Sequence, residues 1–350
     1  SLHLPEALPA LNDHPFLPSD AGDHKQKWSC FTKMPELSLE KTRQLIKACT
    51  YYYIEELGQQ EIAEKMGVSR SQVSRMLTQA KAAGIVNITI KNPFSEEQKY
   101  ERWLTQRFNL LDAIVIDAPE TAPYEFGRRA AQAMTELLSA ALKDNTTFGV
   151  MAGTAINSIS ENIGPIDRKG LQVIPLVGGV GSQGNWQANL NARNFGEKFN
   201  AKYMSLNAPH VVNSLELRNA LVNEPEIADV LAQGRKSTTA LVGIGQVSSS
   251  ATIFGTNVFS QAEMGELLEK GAVASICSSF LDANGNVIDF SACPRMIGMT
   301  VEEMKQIPKV IGIAWSQEKV PAIAATLRGH WVDILVTSLA TAKAIQEYCT

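Results

Sequence analysis

Apolar residues recur at helical spacing through the first part of the chain. In LEKTRQLIKACTYYYIEEL (39–57), Leu45, Cys49, Tyr52, Tyr53 and Leu57 fall on one face and predict a helix whose tyrosines belong to a core. Ser38 is placed to cap it, Glu40 favours its first turn, and Gly58 marks its end. Two shorter amphipathic segments follow, QQEIAEKM and SRSQVSRMLTQAKAA, joined by a turn at Gly67-Val68. GIVNITI (84–90) then alternates in the manner of a strand, and SEEQKYERWLTQRFNL predicts a linker helix over 93–110.

From residue 111 the pattern changes to short apolar runs separated by helical stretches. The predicted strands are AIVID (113–117), FGVMA (148–152), LQVIPLV (171–177), KYMSL (202–206), ALVGIG (240–245), AVASIC (272–277), VIGIAW (310–315) and DILVTS (333–338). Helical patterns such as PYEFGRRAAQAMTELLSAAL and EKVPAIAATLRG fill most of the gaps. Alternation of this kind predicts an α/β domain with a mostly parallel sheet, here over 111–350, behind an all-α domain over 38–92. Residues 1–37 hold five prolines and no periodicity, which predicts a leader without regular structure.

Composition narrows the class. At 45% hydrophobic and 19% charged, a chain of 350 residues is too apolar to be disordered and long enough for about two domains. No run of about 18 apolar residues exists to span a membrane, and the first twenty residues lack the basic and apolar stretches of a secretory signal. Five scattered cysteines without a CxxC point away from a disulfide framework or a zinc site and fit a reducing cytoplasm; no metal or cofactor is expected. The net charge of −4 hides a segregation: residues 41–107 carry eleven Lys/Arg against seven Asp/Glu, and residues 65–91 carry five basic residues and no acid.

That basic run coincides with a helix-turn-helix layout. Ile62, Ala63 and Met66 face inward on the first helix, the small Ala63 lets the second cross closely, and Gly67 allows the tight turn that Val68 plugs. Ser69 suits the N-cap of the second helix, whose buried stripe is Val73, Met76 and Leu77. Its other face presents Arg70, Ser71, Gln72, Ser74 and Arg75, side chains that read base edges or hold phosphates of double-stranded DNA. With Ser69 they form the expected DNA-binding set. Two-fold pairing is expected as well, because symmetric dimers read duplex half-sites.

GQQEIAEKMGVSRSQVSRMLTQAKAAGIVNITI resembles the DNA-binding domain of the SorC-type sugar-responsive transcriptional regulators. The resemblance continues through AGTAINSI, VIPLVGGVGS, NAP (207–209), LVGIG, AVASICSSFLDANGNVID and EKVPAIAATLRG with VDILVTS, covering roughly residues 40–348. It implies an effector domain with a sugar-phosphate-isomerase-like fold, a phosphorylated sugar as effector, and a homodimer or homotetramer on the operator.

Within the α/β region, Gly153-Thr154 follows a predicted strand and opens a helix, where free N–H groups and the positive dipole end attract anions. Gly178 and Gly179 begin a second glycine loop, and Gln187 beyond it is a candidate for sugar hydroxyls. Gly179–Gly184 matches G-x-G-x-x-G, but no helix opens at once and no acid sits at a second strand tip, which argues against a nicotinamide site. Lys319 begins a helix directly after a strand, and the resemblance implies that it binds the effector's phosphate. Arg295 is a further cationic candidate, whereas His210 and His330 read as structural.

Three departures from the family's pattern stand out. Ala274-Ser275 and Thr337-Ser338-Leu339 replace steps that usually carry acids, and Trp315-Ser316 replaces a usual Gly-Gly. Loss of acids predicts altered sugar specificity and argues against catalysis, which needs a general base. The expected protein is thus an effector-controlled DNA-binding regulator and not an enzyme. A constitutive DNA-binding protein with a degenerate pocket and a sugar-phosphate isomerase remain the alternatives.

Overall fold

The structure, a computed structural model, describes residues 38–86, 95–119, 123–180, 187–248 and 258–350. The expectation for 1–37 lies outside the described residues. Two units, Ser1–Lys91 and Asn92–Thr350, have cores of their own.

The first unit packs three helices, α1 (Leu39–Tyr53), α2 (Gln59–Met66) and α3 (Arg70–Ala82). Leu45, Ala48 and Cys49 of α1 meet Ile62 and Ala63 of α2 and Val73, Met76, Leu77 and Ala80 of α3. Ser38 Oγ accepts the Lys41 N–H at 3.3 Å, so α1 starts where its cap residue lies. It ends earlier than its pattern suggests, at Tyr53, and Gly58 instead opens α2, its N–H held by Glu61 Oε2 at 2.8 Å. The predicted tyrosine core is only partly formed. Tyr53 is half-buried, while Tyr52 is 36% exposed and meets Tyr53 edge-on at the open end of α1. Gly67 takes the left-handed conformation that closes α2. Residues 84–86 are not a strand: Ile85 and Val86 donate back to the Ala80 carbonyl and finish α3. The rest of that predicted strand, 87–90, lies outside the described residues.

The second unit begins with α4 (Ser95–Phe108). This helix, expected as a linker, lays Tyr100, Leu104 and Phe108 into the α/β core, and Glu101 Oε1 accepts the N–H of Val115 at 3.0 Å. A seven-stranded parallel sheet follows, from β1 (Asp112–Ile116), β2 (Thr147–Val150), β3 (Gln172–Pro175), β4 (Lys202–Tyr203), β5 (Thr239–Gly243), β10 (Val310–Ile313) and β11 (Ile334–Ser338), in the order β1-β11-β10-β5-β2-β3-β4. Side chains alternate between its faces. Ala240, Val242 and Leu335 pack under α4, α12 (Val320–Arg328) and α13 (Leu339–Cys349), the last two following α8 (Leu215–Val222), α9 (Pro225–Arg235), α10 (Gln261–Glu269) and α11 (Val301–Met304) in the chain. Leu241, Ile313 and Val336 pack under α5 (Pro123–Ala141), α6 (Thr154–Asn162) and α7 (Ala188–Lys198). Apolar residues on both faces explain why these strands read as continuous apolar runs.

Two predicted strands are placed differently. ALVGIG divides at Ile244 into β5 and β6 (Gly245–Gln246), and AVASIC forms β7 (Ala272–Ile276) outside the parallel sheet. Together with β8 (Ser279–Asp282) and β9 (Val287–Ile288), which no pattern predicted, β6 and β7 make a four-stranded antiparallel sheet. Phe259, Phe280 and Phe290 support it with edge-on ring contacts.

The chain runs from β2 outward to β3 and β4, then returns across β2 to place β5 on its other side and continues to β10 and β11. The order therefore reverses between β2 and β5. In open parallel sheets the carboxyl ends of the strands flanking such a reversal diverge and leave a crevice.

Candidate functional site

All six residues expected to meet DNA lie exposed at the start of α3. Ser69 and Gln72 are engaged with each other: the Ser69 N–H donates to Gln72 Oε1 at 2.9 Å, and the Gln72 N–H donates to Ser69 Oγ at 3.2 Å. This capping box starts α3 and occupies the Gln72 carbonyl that a paired contact to adenine would need. Arg70, Ser71, Ser74 and Arg75 carry the remaining outward chemistry, with the Arg75 guanidinium donating to the Ser71 carbonyl at 3.3 Å. No acid stands in the first turn of α3, so its positive N-terminal end is uncompensated.

In the second unit a cavity of about 190 Å³ opens at the β2/β5 reversal. Gly153, Thr154 and Lys319 line it, as do Gly245, Gln246, Ser275, Cys277 and His210. Apolar side chains, among them Met151, Val177, Val180, Ile244 and Ile313, complete the wall. None of the described lining residues is an acid. Gly153 precedes α6 without capping it, so the N–H groups of the first turn stay available. Lys319 closes a short turn, Gln317–Lys319, after β10. Burial depresses its ammonium below the usual lysine range, and none of the ion pairs among the described residues includes it. A desolvated cation, a helix N-terminus and a described lining without acids are features that suit an anion.

Gly178, Gly179 and Gln187 do not line the cavity. Gly178 lies against the backbone of residues 208 and 209, where a Cβ would stand 2.7 Å from the Ala208 carbonyl oxygen. Gly179 pairs with the same segment: its N–H donates to Ala208 O and its carbonyl accepts the His210 N–H, both at 2.8 Å. Gln187 spends both ends of its amide on Val180, accepting its N–H at 2.9 Å and donating to its carbonyl at 2.6 Å. These contacts tie Gln187 and the two glycines to the segments that carry Val180 and His210 into the cavity lining. Arg295 is likewise occupied, by Glu263 and the Val212 carbonyl.

The departures separate in the same way. Ser275 lines the cavity, but Ser338 is fully buried as the N-cap of α13, accepting the Thr341 N–H at 2.9 Å. Trp315 stacks on Phe126 with centroids 4.1 Å apart. Sequence reasoning missed His210, Cys277 and Gln246. His210 is 2% exposed, and desolvation, opposed by a hydrogen bond to the Ile297 backbone, lowers its pKa to about 4. The Cys277 thiol is pushed up to about 12 by burial. Gln246 donates to Glu318 at 3.2 Å.

Residues 92–347 match the family described as "Putative sugar-binding domain", and residues 47–83 match "Sigma-70, region 4". The chain is 30% identical over 311 residues to the deoxyribonucleoside regulator of Bacillus subtilis (strain 168), covering 87% of this chain and 98% of that protein. It is 31% identical over 314 residues to the transcriptional regulator LsrR of Escherichia coli O139:H28, covering 89% and 96%. The full-length sorbitol operon regulator SorC from Klebsiella pneumoniae shares the fold, with a TM-score of 0.68, 24% identity, and coverage of 87% of this chain and 98% of that one. A helix-turn-helix unit joined to a sugar-binding α/β unit defines a transcriptional regulator with an effector domain. The chain belongs to the SorC/DeoR family of these regulators, and its relatives are regulators and not enzymes.

Proposed function

We propose that the cavity at the β2/β5 reversal receives a small phosphorylated sugar and that its occupancy alters operator binding through α3. The observation that carries this reading is the desolvated Lys319, in no ion pair among the described residues, in a cavity whose described lining holds no acid and which also takes in the N-terminal end of α6. A phosphate there gains a charge-assisted contact from Lys319 and backbone N–H groups from the Gly153-Thr154 step, while the sugar body rests on the apolar wall. A relative named for deoxyribonucleosides supports a sugar-derived effector. An intact cavity with its cation in place favours this reading over a decayed pocket. Pairing into a homodimer or homotetramer belongs to the same proposal, because a single recognition helix reads only one half-site.

The test is thermal denaturation of the full chain with inorganic phosphate, ribose 5-phosphate, glucose 6-phosphate and the unphosphorylated sugars, in the wild type and in Lys319→Met. Phosphorylated compounds are expected to raise the melting temperature of the wild type and to lose that effect in the variant. An equal response to phosphorylated and unphosphorylated sugars, or an unchanged response in Lys319→Met, would sink the reading.

A further inference from the structure

We infer that Arg75 is the specificity-determining residue of α3, its guanidinium selecting a guanine in the operator half-site, and that Gln72 takes no part in reading bases. The inference rests on α3 being the helix that meets the operator. It adds which base is selected and by which side chain.

A base is distinguished most sharply by a side chain that makes two hydrogen bonds to its edge. In the major groove adenine shows a donor beside an acceptor and suits a carboxamide, while cytosine shows a donor and suits a carboxylate. Guanine shows two adjacent acceptors, O6 and N7, and suits a pair of donors. The sequence of α3, RSQVSRMLTQAKA, holds no Asp or Glu, so cytosine has no carboxylate to meet. Its carboxamides are Gln72 and Gln79, and Gln79 stands in the third turn, beyond the N-terminal residues by which such helices dock. The Gln72 carbonyl oxygen is taken twice, by the Ser69 N–H at 2.9 Å and by the Ser69 hydroxyl at 3.2 Å. Gln72 keeps its amide N–H donors but lacks the free acceptor that adenine requires.

The hydroxyls do not restore that acceptor. Ser71 Oγ lies 2.9 Å from Ser69 Oγ and is drawn into the cap. Ser74 offers a hydroxyl that donates or accepts alike, which meets any base and separates none. Paired recognition in the first two turns is thus left to arginine. Arg75 is steadied from its own helix: its Nε donates to the Ser71 carbonyl, one turn earlier, at 3.3 Å. That bond uses one edge of the guanidinium and leaves the Nη1–Nη2 edge whole, two parallel donors spaced for O6 and N7. No ion pair among the described residues draws this fork aside. Arg70 stands at the first helical position beside the cap, the end of a helix at which phosphates are held.

The test selects duplexes from a pool with a randomised core, using the full chain as wild type, Arg75→Ala, Arg70→Ala and Gln72→Glu. The wild type is expected to enrich a guanine at one fixed position of the half-site, and adenine there should cost about tenfold in affinity. In Arg75→Ala the preference at that position should fall to within about twofold, with the preferences elsewhere and the melting temperature kept. Arg70→Ala should weaken binding across all sequences and leave the guanine preference in place. Gln72→Glu supplies the usual capping-box residue, so it should weaken all duplexes alike without changing which bases are enriched. Enrichment without a fixed guanine, a guanine preference that survives Arg75→Ala or disappears in Arg70→Ala, or an altered base preference in Gln72→Glu overturns the inference. Failure of the wild type to bind any duplex overturns α3 as the operator-reading helix, which is a different result from binding without base preference.

Discussion

Ser316 stands where the family resemblance implies glycine, and its backbone shows why. Its φ of 116° with ψ of 149° lies in a region that glycine occupies freely and other residues enter at a cost of about 1–3 kcal/mol. Its N–H still donates to Thr341 Oγ1 at 2.9 Å, so the conformation is held from α13. Ser316→Gly keeps that bond and removes the strain, at a loss of about 0.5–1 kcal/mol in unfolded-state entropy. A net gain of about 1 kcal/mol is expected, seen as a melting temperature about 2–4 °C higher in the absence of ligand. An unchanged or lower value would show that the strain is relieved in some other way.

His210 makes an independent prediction about pH. Its pKa is about 4 in the folded chain and near 6.5 when unfolded, so between these values the unfolded chain binds more protons. Stability therefore falls as the pH is lowered through that window. Denaturant titrations at pH 7 and pH 4.5 should show the wild type losing about 2–3 kcal/mol more than His210→Gln. Equal losses in the two proteins would place the acid sensitivity elsewhere.

At the scale of elements, α3 divides its polar residues between starting itself and facing outward. Ser69 and Gln72 form the capping box, whereas Arg70 and Arg75 have no acidic partner among the described ion pairs. Arg70→Ala and Arg75→Ala are expected to weaken DNA binding, each reducing the salt-dependence slope by about one, with no change in melting temperature. Gln72→Ala should instead destabilise the helical unit by roughly 0.5–1 kcal/mol. Gel shifts across a salt series, paired with melting curves, distinguish the two behaviours. An unchanged slope in both arginine variants would remove α3 from DNA reading. Elements of this kind were legible in the sequence because their signals are local: a cap, a three-residue turn and an apolar stripe lie within about two dozen positions. The strands β8 and β9 were not, since Ser279–Asp282 and Val287–Ile288 are too short to show a period and owe their pairing to β7.

For the whole molecule, the α/β class was readable because strands buried on both faces leave plain apolar runs. The strand order was not, and the cavity's position follows from that order. Gly153-Thr154 and Lys319 announced themselves through helix starts, and the cavity does bring them together. Gly178, Gly179 and Gln187 carried equally suggestive residue types but are not among the described lining residues, and their contacts hold Val180 and residues 208–210 in place. His210 gave no sequence signal at all. It is delivered by bridges to residues about 30 and 85 positions away, contacts that only folding creates.

One further consequence comes from the lone lysine. A cation held away from water, with no ion pair among the described residues, makes the ligand-free protein the costlier form. Any anion that settles beside it stabilises the fold by mass action, in proportion to the logarithm of its concentration. If the proposed sugar phosphate is that anion, the molecule that informs the regulator also protects it from unfolding and proteolysis. Abundance and signal would then be coupled, a cell starved of the effector holding fewer copies of the protein that senses it.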